Sequence, residues 1–371
     1  MISAVTLRDY VTMLFVRMGC GYDAASTVAD VLVEGDLRGA SSHGVARVKD
    51  YYLLVESKRL CPSAVPEVVY QSPSTATLSG ASALGPVVAQ RGMQLAIDKA
   101  RTAGTGWVAV RGSHHFGVAA YYSSMALEAN MVGVAMSNGY PLVAPVFCTS
   151  RMLGTNPISV AVPALRHSPL LFDFSTASIT RSRLLSAAAD RVELPRGLVQ
   201  DALGCPTTDP STIQRGGAIL PLGGDRVHGG HKGFCIGAVV DIFSSLFSGA
   251  NFGPFVPPPV SYLPLPSERV GEGIGHFFGA IRVDAFRPEQ EFRQAVDQWI
   301  EVFRTAKGVE GTPGVIIPGE QEQLTKDTRL KDGIPLSPQV VRDLNSVAKV
   351  LGCDSIRFPT HPIAKGRTKG E

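Results

Sequence analysis

The side chains best suited to acid–base chemistry stand early in the sequence, where Ser41-Ser42-His43 is followed, four residues after the histidine, by Arg47. A titratable imidazole beside a fixed guanidinium suits a site that moves a proton on a substrate whose carboxylate must be held. The alternative is an ordinary capped helix start, with a surface histidine and a solvated arginine.

Two helical patterns surround this stretch. Residues 24–37 carry apolar side chains at helical spacing, and Gly39 follows where a positive φ ends a helix. One of the two serines is then expected to cap a second helix that runs to Val55. On such a helix the histidine and the arginine share one face.

A second histidine motif, Gly112-Ser113-His114-His115-Phe116-Gly117, separates a predicted strand at 106–110 from a predicted helix at 118–130. In this order the loop amides and the helix N-terminus can receive an anion beside the histidines. Adjacent histidines point in different directions, so at most one is expected to serve a site. The alternative is a pair of loop histidines bonded to backbone or to water.

Glycines also mark two candidate nucleotide motifs. In Gly229-Gly230-His231-Lys232-Gly233 a lysine opens an apolar helix predicted at 234–247, which suits a phosphate or a carboxylate. The stretch Gly104-Thr105-Gly106-Trp107-Val108-Ala109 matches a dinucleotide fingerprint in its letters alone. It follows a helix and begins a strand, whereas phosphate binding needs the reverse order, so we reject it.

Composition restricts the classes of protein that fit. The 371 residues are 44% hydrophobic and 18% charged, as in a folded globular protein. The formal net charge of +3 comes from scattered lysines and arginines, so no nucleic acid and no membrane surface is expected as a partner. The 6 cysteines form no C-x-x-C pair, which favours free thiols, and no run approaches about 20 apolar residues. A cytoplasmic location is therefore expected.

No metal site is expected, because His228 and His231 lack further ligands at metal-binding spacing. A metal-dependent hydrolase that combines them with His114 and His115 is a disfavoured alternative, which loss of activity on chelation would support.

Apolar periodicity and breaker residues outline the other elements. Helices are predicted at 6–21, 22–37, 85–104, 288–306 and 338–351, and strands at 131–137, 158–162, 170–173 and 275–286. Residues 189–227 are predicted to be a long loop, residues 254–266 a stiff proline-rich lid or interface segment, and the tail after Arg357 a frayed basic end.

Several short motifs occur in an order that resembles the malate/L-lactate dehydrogenase family whose members do not use a Rossmann fold. The matching stretches are Asp36-Leu37-Arg38-Gly39, Ser42-His43-Gly44, His115-Phe116-Gly117, Leu153-Gly154-Thr155-Asn156-Pro157, Phe172-Asp173, Pro206-Thr207-Thr208-Asp209-Pro210, Pro221-Leu222-Gly223-Gly224, Lys232-Gly233, Gly275-His276-Phe277-Phe278 and Pro318-Gly319-Glu320. Each motif is weak alone, whereas the ordered set is specific.

The resemblance implies an α/β protein with a non-Rossmann NAD(P)-binding fold, built on a mixed, largely antiparallel sheet plus a helical domain from both termini. It implies a helical domain at 1–70, completed by 322–371, and an NAD(P)-binding and dimerisation region at 71–321. The implied assembly is a homodimer.

The implied reaction is hydride exchange between NAD or NADP and a 2-oxo or 2-hydroxy acid such as malate or lactate. By this match His43 is the proton donor or acceptor, Ser42 its neighbour and Arg47 the carboxylate clamp. His115 aligns with a second histidine that some members use as acid or base, so this role stays open. The implied cofactor contacts are Asn138, Gly139, Tyr140, Thr155, Asn156, Asp173, Phe174, Ser175, Thr176, Ser178, Lys232, Gly233, Gly319 and Glu320.

The sequence departs from the family pattern at three places. Phe147-Cys148 replaces a common glycine pair, Ser182-Arg183 replaces the usual Gly-Lys, and His231 replaces a tyrosine. These departures leave the cofactor preference and the substrate open. A reductase of cyclic imino acids, of the Δ1-piperideine-2-carboxylate type, and a degenerate non-catalytic member are the alternatives.

Overall fold

The structure is a computed structural model that describes residues 1–353 and residue 355. The predicted basic tail after Arg357 lies outside the described residues. The helices are α1 Ala4–Arg17, α2 Tyr22–Leu37, α3 Val48–Glu56, α4 Gly85–Ala103, α5 Ala119–Met125, α6 Arg181–Asp190, α7 Gly230–Ser245, α8 Glu289–Arg304, α9 Glu320–Asp332 and α10 Pro338–Val350. The strands are β1 Glu67–Gln71, β2 Thr75–Ser79, β3 Thr105–Ser113, β4 Met131–Ser137, β5 Ile158–Val162, β6 Leu170–Phe174, β7 Val199–Gln200, β8 Pro206–Thr207, β9 Ala218–Ile219 and β10 Ile274–Arg282.

A seven-stranded sheet in the order β1-β2-β3-β10-β4-β5-β6 forms the centre of the molecule. Strands β2 and β3 are parallel, and the other neighbours are antiparallel. The predicted mixed, largely antiparallel sheet is therefore confirmed. Helices α4 and α5 cover one face, where a core including Met93, Tyr122 and Phe278 forms, and α7 packs on the other through Val240.

The direction of the strands brings distant segments to one edge of this sheet. Strands β3 and β4 both pair antiparallel with β10, so their carboxyl ends meet where β10 begins. The start of β5 and the end of β6 lie at the same edge, because Ile158 pairs with both Met136 and Phe174. The loops at 114–118, 138–157 and 175–180 consequently gather around the start of β10.

Helices from both ends of the chain share one hydrophobic core. It contains Leu14 of α1, Leu32 of α2, Tyr51 of α3 and Leu344 of α10, and Ile2 pairs with Ile334 by backbone hydrogen bonds of 3.0 and 2.7 Å. Helix α10 begins as its sequence predicts, with Ser337 as N-cap and a proline in the first turn. The boundaries at residues 70 and 321 stay predictions.

Several predicted elements differ from the structure in extent. Residues 189–227 include a small sheet in the order β8-β7-β9 rather than one long loop. Its strands have two residues each, too few for an alternating pattern to show. The helix expected at 118–130 is α-helical as far as Met125 and then tightens into a 3₁₀ turn. In the described part of the chain, no helix has the length and apolarity to cross a membrane. The six cysteines are free, as expected.

Candidate functional site

The turn that carries His43 is built differently from the predicted helix. Gly39 follows α2 with φ +88°, as expected, but residues 41–43 and 45–47 form two short 3₁₀ turns and α3 begins only at Val48. The prediction that Ser41 or Ser42 caps one continuous helix is therefore wrong. Gly44 separates the two turns with an extended backbone of φ −91° and ψ −152°.

A buried carboxylate explains this break. The Val45 N–H donates to Asp36 Oδ2 at 2.8 Å, and Asp36 is 1% exposed. A Cβ on Gly44 would collide with the same carboxyl group, so this position requires glycine. Burial raises the pKa of Asp36 to about 6, against the opposing hydrogen bond from Val45. The Asp36 side chain thus fixes the turn that presents His43.

The structure brings the two candidate histidines together. The rings of His43 and His115 stack with centroids 5.3 Å apart and an interplanar angle of 24°. His43 Nδ1 is bonded to Ser42 Oγ at 3.0 Å. Within the described residues neither ring has a hydrogen-bond partner at Nε2, so both Nε2 atoms are available to a ligand. His114 is buried and lies outside this pair, so of the two adjacent histidines it is His115 that stacks on His43.

Tyr51 positions the second histidine, a role that the motif analysis missed. Its hydroxyl lies 2.9 Å from both Nδ1 and the backbone oxygen of His115. The Gly117 N–H also points to His115 Nδ1, at 3.4 Å. Because Tyr51 stands four residues after Arg47, helical spacing was the signal that could have revealed it.

Both histidines favour the neutral form in the free protein. Burial and then the charge of Arg47 lower the pKa of His43 to about 4. Burial also holds the pKa of His115 well below its usual value, with the same arginine as the next cause. Neutral imidazoles can accept a proton, so both side chains are suited to act as bases.

Arg47 lies beside this pair and keeps one donor unused. Its Nη1 pairs with Asp50 Oδ2 at 2.9 Å, and its Nη2 donates to the Pro259 carbonyl oxygen at 3.4 Å. Its Nε is buried and has no partner among the described residues. A buried guanidinium N–H without an acceptor is costly unless a ligand supplies one, so it fits a carboxylate-binding position.

A third histidine, His276, lies close to this pair. His276, fully buried in β10, bonds Ser137 Oγ at 2.8 Å and Ser113 Oγ at 2.7 Å. Its ring stacks on Phe116 with centroids 4.6 Å apart and an interplanar angle of 6°. Since Phe116 is joined to His115, this stack links the central strand to the site. Its motif was visible in the sequence, but not its contacts.

We expect His276 to contribute to the loss of folding stability at acidic pH. Burial lowers its folded-state pKa to about 3, so below pH 6.5 the unfolded state binds a proton that the native state does not, and stability falls as pH falls from 6.5 towards 3. In His276→Asn this slope should be shallower by about one proton, roughly 1.4 kcal/mol per pH unit. Urea unfolding at several pH values measures it, and an unchanged slope would show that His276 is charged in the native state.

Two predicted cofactor residues with amide side chains are used by the scaffold. Asn138 donates to the Asn251 carbonyl oxygen at 2.7 Å and accepts from the Gly275 N–H at 3.0 Å. Asn156 accepts from the Gly139 N–H at 3.1 Å and donates to the Gly237 carbonyl oxygen at 3.0 Å. Both side chains are buried, so they hold the loops in shape. The groups that these loops offer to a ligand are their backbone atoms and neighbouring side chains, such as the half-buried Tyr140.

The predicted residues after β6 fasten the same region. Ser175 Oγ and Thr176 Oγ1 both donate to the Thr155 carbonyl oxygen, at 3.0 and 3.2 Å. Ser178 Oγ donates to the Leu198 carbonyl oxygen at 2.7 Å. These hydroxyls act as donors inside the protein, and the loop at 153–157 is tied to the loop at 175–178.

A cavity of about 440 Å³ opens beside these loops. Asp173, Phe174 and Gly319 line it, together with residues of the turn before α9. Asp173 Oδ2 accepts a hydrogen bond from the Ala120 N–H at 3.0 Å. The first turn of α5, where an external anion was expected, therefore receives a carboxylate of the protein itself. Desolvation by the surrounding protein raises the pKa of Asp173 to about 6, although part of the residue is exposed.

Two further predicted cofactor contacts are Glu320, at the start of α9, and Lys232, in the first turn of α7. Glu320 pairs with Arg304 and accepts from the Ile317 N–H at 3.1 Å, so it holds its own turn. Lys232 is exposed in the first turn of α7, and no ion pair to it exists among the described residues. A Cβ on Gly233 would collide with the Leu222 backbone.

In the described part of the chain, no three His, Cys, Asp or Glu side chains form a metal-binding group.

The departures from the family pattern at Phe147, Ser182 and Arg183 are exposed on the protein surface. Phe147 is 91% exposed and has φ +67°, a left-handed conformation that glycine adopts without strain. A glycine would therefore suit that position. In this chain the same position carries an aromatic ring that lies in solvent. Ser182 and Arg183 lie in the first turn of α6, which Thr180 caps through the Arg183 N–H at 3.4 Å.

Comparison with known proteins identifies relatives that match nearly the whole chain. Residues 2–345 match the family model described as malate/L-lactate dehydrogenase. A malate dehydrogenase of Pyrococcus horikoshii is 37% identical over 94% of this chain and 95% of that protein. A malate/(S)-sulfolactate dehydrogenase of Methanothermus fervidus is 34% identical over 95% and 98%, respectively. The solved structure of sulfolactate dehydrogenase from Methanocaldococcus jannaschii covers 95% of this chain and 98% of its own, with a TM-score of 0.86 and 31% identity.

The family model covers most of the chain, and the similar proteins match it over nearly their whole length. The resemblance stated from the motifs is confirmed. The chain belongs to the malate/L-lactate dehydrogenase family and is an oxidoreductase that transfers hydride between a nicotinamide cofactor and a 2-hydroxy acid.

Proposed function

We propose that His43 and His115 handle the proton of this reaction while Arg47 holds the carboxylate of the substrate. One observation carries the proposal: two stacked imidazoles with available Nε2 atoms lie beside a buried guanidinium whose Nε has no partner among the described residues. A 2-hydroxy acid presents the matching groups on adjacent carbons. Its carboxylate suits the arginine, and its hydroxyl suits an imidazole nitrogen.

Substrate binding would also change the pKa values of the two histidines. The charge of Arg47 contributes to the low pKa of both. A carboxylate against this guanidinium offsets the charge and so raises both pKa values. The bound complex is then better able to protonate the oxygen of a 2-oxo acid, and the neutral pair to accept the proton of a hydroxyl.

The residues present fit a nicotinamide cofactor. The cavity beside Asp173 combines the exposed Phe174 ring, on which a flat ring can stack, with a carboxylate that can accept a hydrogen bond from an amide. When bound, the cofactor supplies and receives the hydride. In our proposal the loops at 138–140, 155–156 and 173–178 and Gly319 hold and orient it, and Lys232 with Gly233 at the start of α7 meets its phosphates.

Among substrates, we propose 2-hydroxy acids such as malate or lactate over cyclic imino acids. The similar proteins named above act on malate or sulfolactate, and both are 2-hydroxy acids. A cyclic imino acid places nitrogen instead of oxygen before the imidazole.

A spectrophotometric screen tests the proposal. Oxidation of NADH and of NADPH is followed with oxaloacetate, pyruvate and Δ1-piperideine-2-carboxylate. We expect turnover with a 2-oxo acid, and the faster cofactor settles the preference between NAD and NADP. Turnover of the imino acid alone would favour the alternative reductase. Cofactor binding without turnover of any of the three would favour a non-catalytic member.

We also propose that the chain forms a homodimer through α7. This helix packs on the sheet through Val240 while its opposite side exposes an apolar face, although helices with apolar residues all round are normally buried. The exposed side chains are Ile236, Val239, Ile242, Leu246 and Phe247. In a two-fold dimer the same face of a second copy covers it, because such an interface is self-complementary.

Introducing a charge into this face should separate the subunits. Val239 is 45% exposed in one chain, so Val239→Glu is expected to fold but to bury a carboxylate in the dimer. Light scattering coupled to gel filtration should give two chains for the wild type and one for the variant. Val5→Glu on α1, where the valine is 64% exposed, is the matched control and should stay dimeric. A wild type with the mass of one chain would contradict the proposal.

A further inference from the structure

The proline-rich segment at 254–266, which we call the strap, is held against the protein. Residues 257–259 at its centre are three consecutive prolines. Proline has a fixed φ and no backbone N–H, so this part of the strap is stiff and donates no backbone hydrogen bonds. Val256 and Val260, on either side of the prolines, are buried at 0% and 1% exposure. The position of the strap therefore depends on packing and on donors from other segments.

Arg59, shortly after α3, is such a donor. Its Nη1 donates to the carbonyl oxygens of Val260 and Leu263, at 3.3 and 2.9 Å. The chain just before the strap is also fixed, because the Gly253 N–H donates to Asp241 Oδ2 at 3.0 Å. The prolines thus lie between two anchored ends, and Arg59 supplies the anchor on the C-terminal side.

Between these anchors the Pro259 carbonyl group contacts Arg47. Nη2 of Arg47 donates to this oxygen at 3.4 Å, while Nη1 pairs with Asp50 at 2.9 Å. Because different partners hold the two terminal nitrogens, the guanidinium plane is restrained, and the buried, unpartnered Nε is presented in one direction. Val260 directly follows Pro259, so a movement of the strap at Val260 displaces the carbonyl group that holds Arg47.

We propose that Arg59 is a positioning residue for Arg47, because it holds the strap where the Pro259 carbonyl group fixes the Arg47 guanidinium. This inference rests on the proposed function, in which Arg47 binds the carboxylate of the substrate. A guanidinium that is already fixed loses less side-chain freedom when it binds a carboxylate, so its affinity is higher. Arg59 therefore acts on the KM of the acid and not on the chemical step.

Steady-state kinetics with oxaloacetate in Arg59→Ala and Arg59→Lys test this role. In Arg59→Ala we expect KM for oxaloacetate to rise about 10-fold, the effect of one lost charged hydrogen bond, while kcat and the KM of the cofactor stay near wild type. Arg59→Lys should recover part of the loss, because an ammonium group can still donate to a carbonyl oxygen. Arg91→Ala, which changes an exposed arginine on α4, is the matched control and should leave all of these parameters unchanged.

A double variant shows whether Arg59 acts through Arg47. If it does, Arg59→Ala should raise KM little further in an Arg47→Met background. A general role in stability would instead lower kcat or raise the KM of the cofactor, and its effect would be present in both backgrounds. Thermal melting of each variant identifies a loss that arises from misfolding. If Arg59→Ala melts below the assay temperature, Arg59→Gln, which keeps an amide donor, replaces it in the comparison.

Three results would overturn the assignment. These are an unchanged KM for oxaloacetate in the Arg59 variant, a fall in kcat or a rise in the cofactor KM as large as the rise in the KM of the acid, and a full effect that persists in the Arg47→Met background. An Arg47→Met variant with the KM of the wild type would instead refute the role of Arg47 in the proposed function, so the two failures are distinguishable.

Discussion

The His43→Ala variant should lose about 10²- to 10⁴-fold in kcat, the usual contribution of a positioned general acid or base. His43 is half-buried, its Nδ1 is held by Ser42, and its Nε2 is available to the reacting oxygen. The predicted cofactor contacts lie in other loops, so the affinity for NADH or NADPH should stay close to that of the wild type. Stopped-flow turnover and a fluorescence titration of the cofactor measure the two quantities.

Ser42→Ala is the matched control for this experiment. It removes the hydroxyl at 3.0 Å from Nδ1 but keeps the imidazole, so it should cost much less than the loss of the ring. An unchanged kcat in His43→Ala would remove His43 from the chemistry and leave His115 as the acid and base.

The second large effect is expected at Arg47. In Arg47→Met, KM should rise by at least about 30-fold for every 2-oxo acid, because truncating one partner of a buried charge pair costs about 2–5 kcal/mol. The loss applies to oxaloacetate and pyruvate alike, because both acids carry the carboxylate next to the reacting carbon. Steady-state kinetics with both acids measures it.

Asp50→Asn controls for the loss of the ion pair within the protein. It removes the partner at 2.9 Å while keeping the guanidinium, so KM should change far less than in Arg47→Met. If both variants raise KM equally, Arg47 acts by holding α3 in place and not by binding substrate.

Much of the fold could be predicted because it depends on local signals. Helix α4 shows a regular apolar stripe, a proline in its first turn and a left-handed Gly104 after its last residue, all readable from the sequence. Strands β4 and β5 occur where predicted. The turn at His43 could not be predicted, because the break at Gly44 depends on the Asp36 carboxylate, which a tertiary contact places beneath it.

The candidate site was predicted unevenly for a related reason. His43, His115 and Arg47 lie together in the structure, and the motifs that contain them were visible in the sequence; their catalytic roles stay predictions. Asn138 and Asn156 use their side chains inside the scaffold, and an asparagine in a motif reads the same whether it binds backbone or ligand. Tyr51 and His276 act through neighbours distant in sequence, so their roles emerge only once the strands and helices are assembled.

A double-mutant cycle on the histidine pair tests the central claim most directly. We would measure kcat/KM for oxaloacetate reduction in the wild type, His43→Ala, His115→Ala and the double variant. If the stacked pair works as one proton-transfer unit, each single variant should have a strongly reduced kcat/KM. The kcat/KM of the double variant should then be only slightly lower than that of the less active single variant. Losses that multiply, or a single variant with wild-type activity, would contradict the account.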